Sequence, residues 1–154
     1  MKTTQQKLLI DQLDAKLVQL KSLEKTVSPS NGWVSIIRAA LKMSLRQLGK
    51  RLHMSAQAVK DIEKREANGT ISIKSLREVA EALDMKLVYA FFPKEDSVKK
   101  MIEKRANEIA REIVLRTSNT MKLEDQENSD RRINEAIKNK TEEIKSKMPK
   151  YLWD

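Results

Sequence analysis

Ser44-Leu45-Arg46-Gln47-Leu48-Gly49-Lys50-Arg51-Leu52-His53-Met54-Ser55-Ala56-Gln57-Ala58-Val59-Lys60-Asp61-Ile62-Glu63 is the stretch whose pattern decides the fold. It holds two short amphipathic periods, each with its own start. Ser44 precedes Leu45–Leu52 with Gln47 three residues on, the spacing of a capping box. Ser55 precedes Ala56–Lys64, where its hydroxyl is placed to accept from an otherwise orphan amide. Only Leu52-His53-Met54 separates them. Helices this short bury their apolar faces only by crossing at a steep angle against a third. Leu48 and Leu52 are predicted to face inward from the first, Val59 and Ile62 from the second. Gly49, with no side chain, permits the close approach, and Ala58 is small where crowding is expected. His53 stands at the turn, where glycine is usual because that residue tends to need positive φ. Histidine tolerates this region better than branched residues do.

This is the pattern of a helix-turn-helix, whose second helix enters a DNA major groove with its N-terminal residues at the base edges. Two short amphipathic helices in an ordinary small bundle would share part of it. Two capped helices, a three-residue turn, a small residue at the crossing and a basic outer face together favour the helix-turn-helix. With the inward positions spent, Ala56, Gln57, Lys60, Asp61 and Lys64 are left pointing outward. Gln57 is suited to adenine through two hydrogen bonds, or to other bases less selectively. Lys60 is placed for a guanine edge or a phosphate, and Ala56 for a thymine methyl. Asp61 could accept from cytosine, or equally pair with Lys64 or Arg65. The expected base-reading set is therefore Ala56, Gln57, Lys60 and Asp61. Phosphate contacts, which fix register without reading sequence, are expected from Ser44, Arg46, Gln47, Lys50, Ser55 and Lys64. The two serines would add amide and hydroxyl donors at helix N-termini.

Charge points the same way. Of the net +9, residues 31–94 carry +6, from 12 basic and 6 acidic side chains. Residues 1–30 contribute +2 and residues 95–154 only +1. A localised basic surplus suggests an anionic polymer as partner, although an ordinary solvated basic face would give the same count. With 40% hydrophobic and 34% charged residues but only 3 Gly and 3 Pro, the chain is short of turn-formers and reads as mainly helical.

Outward from the motif, a helix is predicted over about residues 5–25 from Ile10, Leu13, Leu17 and Leu20, broken by Thr26-Val27-Ser28-Pro29-Ser30-Asn31-Gly32. Trp33, Ile36, Ile37, Ala40 and Leu41 mark the next. Ser72 is placed to cap another, with Ile73, Leu76, Val79, Ala80 and Leu83 on its apolar face. Met85–Phe92 is dense in β-favouring and aromatic residues between Asp84 and Pro93, and is predicted as one short strand pairing across a homodimer, or else a buried extended tail. Val98, Met101, Ile102, Ala106, Ile109, Ile113 and Val114 form one helical stripe. A polar hinge over Thr117–Asp130 follows, then a last helix marked by Ile133, Ala136, Ile137, Ile144 and Met148. The expected division is 1–30 (N-terminal helix and linker), 31–94 (helix-turn-helix domain), 95–116 (packing or dimerisation helix) and 117–154 (hinge and C-terminal helix). The expected class is all-α, a five-helix lambda-repressor-like core with one short strand and additional terminal helices.

At the motif the sequence resembles the Xre/Cro-type helix-turn-helix regulators. Over roughly residues 5–115 it is similar to the family called mobile mystery protein A. That resemblance rests on Asn31-Gly32-Trp33, the Met43–Lys64 motif, Asn68-Gly69-Thr70-Ile71-Ser72, and Leu83-Asp84-Met85-Lys86-Leu87-Val88-Tyr89-Ala90 running into Pro93. It implies a small regulator encoded on mobile elements beside a Fic-domain protein, the antitoxin-like, autorepressing member of a pair. One type of Fic inhibitor carries Ser or Thr four residues before a Glu that is followed by Gly or Asn. Here Leu123 stands four residues before Glu127-Asn128, so that inhibitory motif is absent.

Other chemistries are disfavoured. There is no cysteine and a single histidine, His53, so neither disulfide, thiolate nor metal chemistry is expected. No Gly-rich phosphate loop appears and no nucleophile has a base at motif spacing, so no catalytic residue and no cofactor are expected. No run approaches the ~20 apolar residues of a membrane span, and the N-terminus lacks an apolar signal core. The leading expectation is a cytoplasmic, homodimeric repressor binding double-stranded operator DNA. The alternative is an antitoxin that neutralises a Fic-type partner, with DNA binding secondary.

Overall fold

The structure, a computed structural model, describes residues 2–118 and 126–154. Its elements are α1 (Lys2–Gln19), α2 (Lys21–Glu24), α3 (Trp33–Ala40), α4 (Leu45–Leu52), α5 (Ala56–Asn68), α6 (Ile73–Ala82), α7 (Val98–Ser118), α8 (Gln126–Lys147) and a closing 3-10 turn over Lys150–Trp153. They fall into two compact units. One is Ser22–Ala90, and the other joins the sequence up to Lys21 with Phe91–Asp154.

In the first unit α3 to α6 enclose Val34, Leu48, Val59, Ile62, Val79 and Leu83, all buried. Each helix begins where a side chain satisfies an amide that has no partner within the helix. Ser44 Oγ accepts from Gln47 N at 3.1 Å while Gln47 Oε1 accepts from Ser44 N at 2.8 Å, so the capping box is complete. Ser55 Oγ accepts from Ala58 N at 3.1 Å and Ser72 Oγ from Ser75 N at 3.0 Å. Between α4 and α5, His53 takes φ 55° and ψ 42°, the left-handed conformation that the turn demands. A Cβ on Gly49 would stand 2.6 Å from the Met54 carbonyl oxygen, so the two helices cross through the space of a missing side chain.

Two expectations need correction. The helix-turn-helix core holds four helices, α3 to α6, rather than five. Nor is there a strand at Met85–Phe92. A strand exists only by pairing, and no second β-rich segment in the described residues offers an edge. Nor is it a buried tail, since Val88, Tyr89 and Phe91 are exposed. Ile73 is likewise exposed, leaving Leu76, Val79 and Leu83 to carry the α6 face.

The other unit packs α7 against α8. Ile102, Ala106, Ile109 and Ala110 recur at three- and four-residue steps along α7 and meet Ile137, Ile144 and Leu152 in one core. Asp14 of α1 accepts from Val98 N (2.8 Å) and Lys99 N (3.3 Å), capping α7 from a distance. Arg105 holds the closing turn, donating to the Leu152 and Asp154 carbonyl oxygens at 2.8 and 2.6 Å. Of the predicted hinge, residues 119–125 lie outside the described residues. No helix among the described residues is long and apolar enough to cross a membrane.

Replacing Gly49 by alanine tests the crossing. Helix propensity favours alanine by about 1 kcal/mol, but the obstacle is a backbone carbonyl that cannot move without opening the turn. Overpacking of this kind costs about 1–3 kcal/mol beyond any gain. Gly49→Ala is therefore expected to be net destabilising, seen as a lower melting temperature in thermal denaturation followed by circular dichroism. An unchanged or raised melting temperature would show that the helices do not meet here.

Candidate nucleic-acid interface

The direction in which α5 faces is set from inside. Val59 is 0% and Ile62 4% exposed, in the core with Leu48. Two carboxylates on the same side reach α3. Glu66 accepts from Trp33 N at 2.8 Å and Val34 N at 2.9 Å, capping the start of α3 from 32 residues away. The chain makes room at Gly32, φ 82°, where a Cβ would lie 2.7 Å from the Glu66 carboxyl carbon. Glu63 is held by Arg38, Nε to Oε1 at 2.5 Å and Nη2 to Oε2 at 3.3 Å, and Arg38 Nη1 also donates to the Met43 carbonyl at 2.9 Å. The Glu63 hydrogen bond raises the Arg38 pKa above its ordinary value, although burial opposes it.

With that side committed, the opposite side of α5 is open. Gln57, Lys60, Asp61 and Lys64, at positions i, i+3, i+4 and i+7, are all exposed, and Ala56 is half-buried beside them. Gln57 Nε2 donates to Asp61 Oδ1 at 3.4 Å, so Asp61 is engaged with Gln57 rather than in an ion pair with Lys64 or Arg65. That bond is long and exposed, so it holds the Gln57 amide only weakly. Arg46 and Lys50 are exposed on α4. Ser44 and Ser55 spend one lone pair each on their caps and keep the hydroxyl hydrogen. Gln47 spends its carbonyl and keeps its amide hydrogens. All ten expected contact residues thus lie on α4, α5 or their caps, and Ser44, Arg46, Gln47, Lys50, Ser55, Lys60 and Lys64 keep donors that the fold does not use.

The cations differ between units. Among the described residues, the Ser22–Ala90 unit has one ion pair, Arg38–Glu63, and it serves the fold. Arg46, Lys50, Lys60 and Lys64 stand without an acidic partner. Among the described residues of the other unit six lysines are paired, Lys99 with Asp11, Lys100 with Asp96, Lys104 with Glu95, Lys145 with Glu103 and Glu142, and Lys140 and Lys147 both with Glu143. Hydrogen bonds from Lys147, then Lys140, hold the Glu143 carboxyl down to about 2. Arg46, Lys50, Lys60 and Lys64 thus form a group of exposed, unpaired cations on α4 and α5 among the described residues.

A family model described as helix-turn-helix matches residues 34–89. Those residues are a helix-turn-helix DNA-binding domain. The match spans α3 to α6 and supports the Xre/Cro-type resemblance for this domain. No curated protein and no solved structure matches the chain.

Arg38, Glu63 and Glu66 were not singled out by the sequence, because their partners are 25 to 33 residues distant. A signal was available: Glu63 and Glu66 stand three apart on the apolar side of α5, where a carboxylate needs a donor. Glu66→Ala is expected to cost about 1–2 kcal/mol, the range for losing an N-terminal cap. Amide exchange should quicken at Trp33 and Val34 before it does in α6. Uniform loss of protection across the domain would deny Glu66 its capping role.

Proposed function

We propose that this protein is a non-enzymatic, sequence-specific repressor that acts in the cytoplasm as a homodimer on operator DNA, including the promoter of its own operon. The observation that carries this proposal is the two-sidedness of α5. Val59, Ile62, Glu63 and Glu66 are consumed by the fold, and Gln57, Lys60, Asp61 and Lys64 are left exposed beside unpaired cations on α4. Gln57 and Lys60 read bases, with Ala56 and Asp61 flanking them. Arg46, Lys50, Lys64, Gln47, Ser44 and Ser55 hold the backbone. One recognition helix covers only a few base pairs, and a twofold pair reads half-sites about one helical turn apart, which is the reason for a dimer. The mobile mystery protein A resemblance supports autoregulation beside a Fic-domain gene. Neutralisation of a Fic-type partner rests on that resemblance alone.

The test is a mobility shift on the DNA immediately upstream of the gene, at two salt concentrations, with single alanine variants. Gln57→Ala and Lys60→Ala should lose about 1–3 kcal/mol on the operator and little on unrelated duplex. Arg46→Ala and Lys50→Ala should weaken both and shallow the salt dependence. Four variants behaving alike would refute the division of roles, and a wild-type protein indifferent to its promoter would refute autoregulation.

A further inference from the structure

Beside the proposed base-reading face the helix-turn-helix domain has a concave surface. Leu41, Lys42, Met43, Gln47, Lys50 and Arg51 line an open hollow of about 510 Å³. Its ionisable groups are three cations with no acid among them. Lys42 and Lys50 have no side-chain partner among the described residues, and Arg51 donates only to the Ala82 carbonyl, from Nη1 at 3.2 Å. Gln47 has its carbonyl oxygen bound to Ser44 N, so its amide hydrogens are what remains. Every polar side chain of the hollow therefore has donors to offer and no acidic neighbour to take them. The larger hollow of the other unit, about 800 Å³, neutralises itself, since its Lys145 meets both Glu103 and Glu142 and its Lys99 meets Asp11.

Lys42 adds a second, independent observation. It follows the end of α3 at φ 51°, in the left-handed region, with its amide on the Ala39 carbonyl at 3.0 Å. Glycine is the cheap residue there, and a lysine is held at a cost in stability. That cost falls on a residue lining the cationic hollow, so exchange for glycine removes the ammonium without straining the backbone.

We propose that this hollow seats a phosphodiester of the DNA backbone, with Lys42 and Arg51 as phosphate-binding residues beyond those of the α4 and α5 faces. This rests on the DNA-binding function proposed above and extends its footprint. A tetrahedral oxyanion takes donors from two ammonium groups, a guanidinium and an amide, and the apolar Leu41 and Met43 lower the dielectric around them. Free phosphate offers the same chemistry. The duplex is favoured because the hollow is open and shares Gln47 and Lys50 with the proposed phosphate-contacting face of α4, so that a strand lying along α4 passes it.

The decisive variant is Lys42→Gly, which removes the ammonium and relieves the strain together. By fluorescence anisotropy on a labelled duplex at about 0.1 M salt it should bind roughly five- to ten-fold more weakly, with the salt slope shallower by about one. It should nevertheless melt a few degrees higher than the parent. Lys42→Arg should restore binding, and Lys138→Ala, an equal charge loss on α8, should leave the slope unchanged. Unaltered binding by Lys42→Gly, or an equal loss in Lys138→Ala, overturns the seat. Discrimination lost in Gln57→Ala would show that the base-reading function stands even then. Inorganic phosphate titrated at constant ionic strength should shift the amides of Lys42, Met43 and Gln47 only at millimolar concentrations. Saturation at micromolar phosphate with displacement of the duplex would reassign the hollow to the free ion and overturn the duplex proposal.

Discussion

The helix-turn-helix domain depends on two carboxylates of α5 being spent on α3. Glu66 satisfies two amides at the start of α3, and Glu63 fixes Arg38, which in turn grips the Met43 carbonyl just past its end. One helix is thereby clamped at both ends by a single neighbour. The apolar contacts of Val59 and Ile62 give the burial but tolerate rotation of α5 by some tens of degrees, since hydrophobic contact is not directional. Hydrogen bonds are directional, and these select one rotation. The exposure of Gln57 and Lys60 follows from it, because the face a helix shows to solvent is whatever its partners have left over.

Charge is apportioned by the same logic. In the unit built from α1, α7 and α8, acids stand beside six of the lysines, and the pairing of Glu143 with two of them is the extreme case. Exposed pairs of this kind add little stability. Their consequence is that part of the positive charge on this surface is offset locally. In the helix-turn-helix domain the buried-side carboxylates Glu63 and Glu66 are occupied, so the cations of the outer face keep their charge. A net +6 over residues 31–94 thus understates the local contrast, since part of the acidic count is directed inward.

Much of this was legible in the sequence wherever the determinant was local. Ser44, Ser55 and Ser72 announced three helix starts, and each caps as its spacing required. Gly49 and His53 announced the crossing and the turn. Val59 and Ile62 announced which side of α5 is buried. What was not legible depended on distant partners. Composition at Met85–Phe92 favours a strand, but composition cannot supply the second edge. The periodicity of Val98, Ile102, Ala106 and Ile109 predicts an apolar face, not the helix that covers it, and α8 competes for that face with 22 residues of its own. Asp14 over α7 and Glu66 over α3 are caps delivered across the fold, invisible to a rule that looks one to four residues away.

A chain with three glycines must also decide where to place them. One is spent at the α4–α5 crossing, where a carbonyl occupies the place of a side chain, and two at positive φ, Gly32 and Gly69. Among the described residues the left-handed positions that remain fall to Lys42, His53, Asp84 and Met148, three of them within the helix-turn-helix domain and two bracketing α4. Each non-glycine residue so placed costs about 1–2 kcal/mol, against a total of about 5–15 kcal/mol for a typical domain. Aspartate offsets part of that by its tolerance of the region, but lysine has no such excuse. The penalty is therefore concentrated around the helix whose outward residues carry unpaired cations. A backbone chosen for stability alone would have put glycine there. One that keeps a charged side chain next to a basic hollow trades stability for a field at the surface.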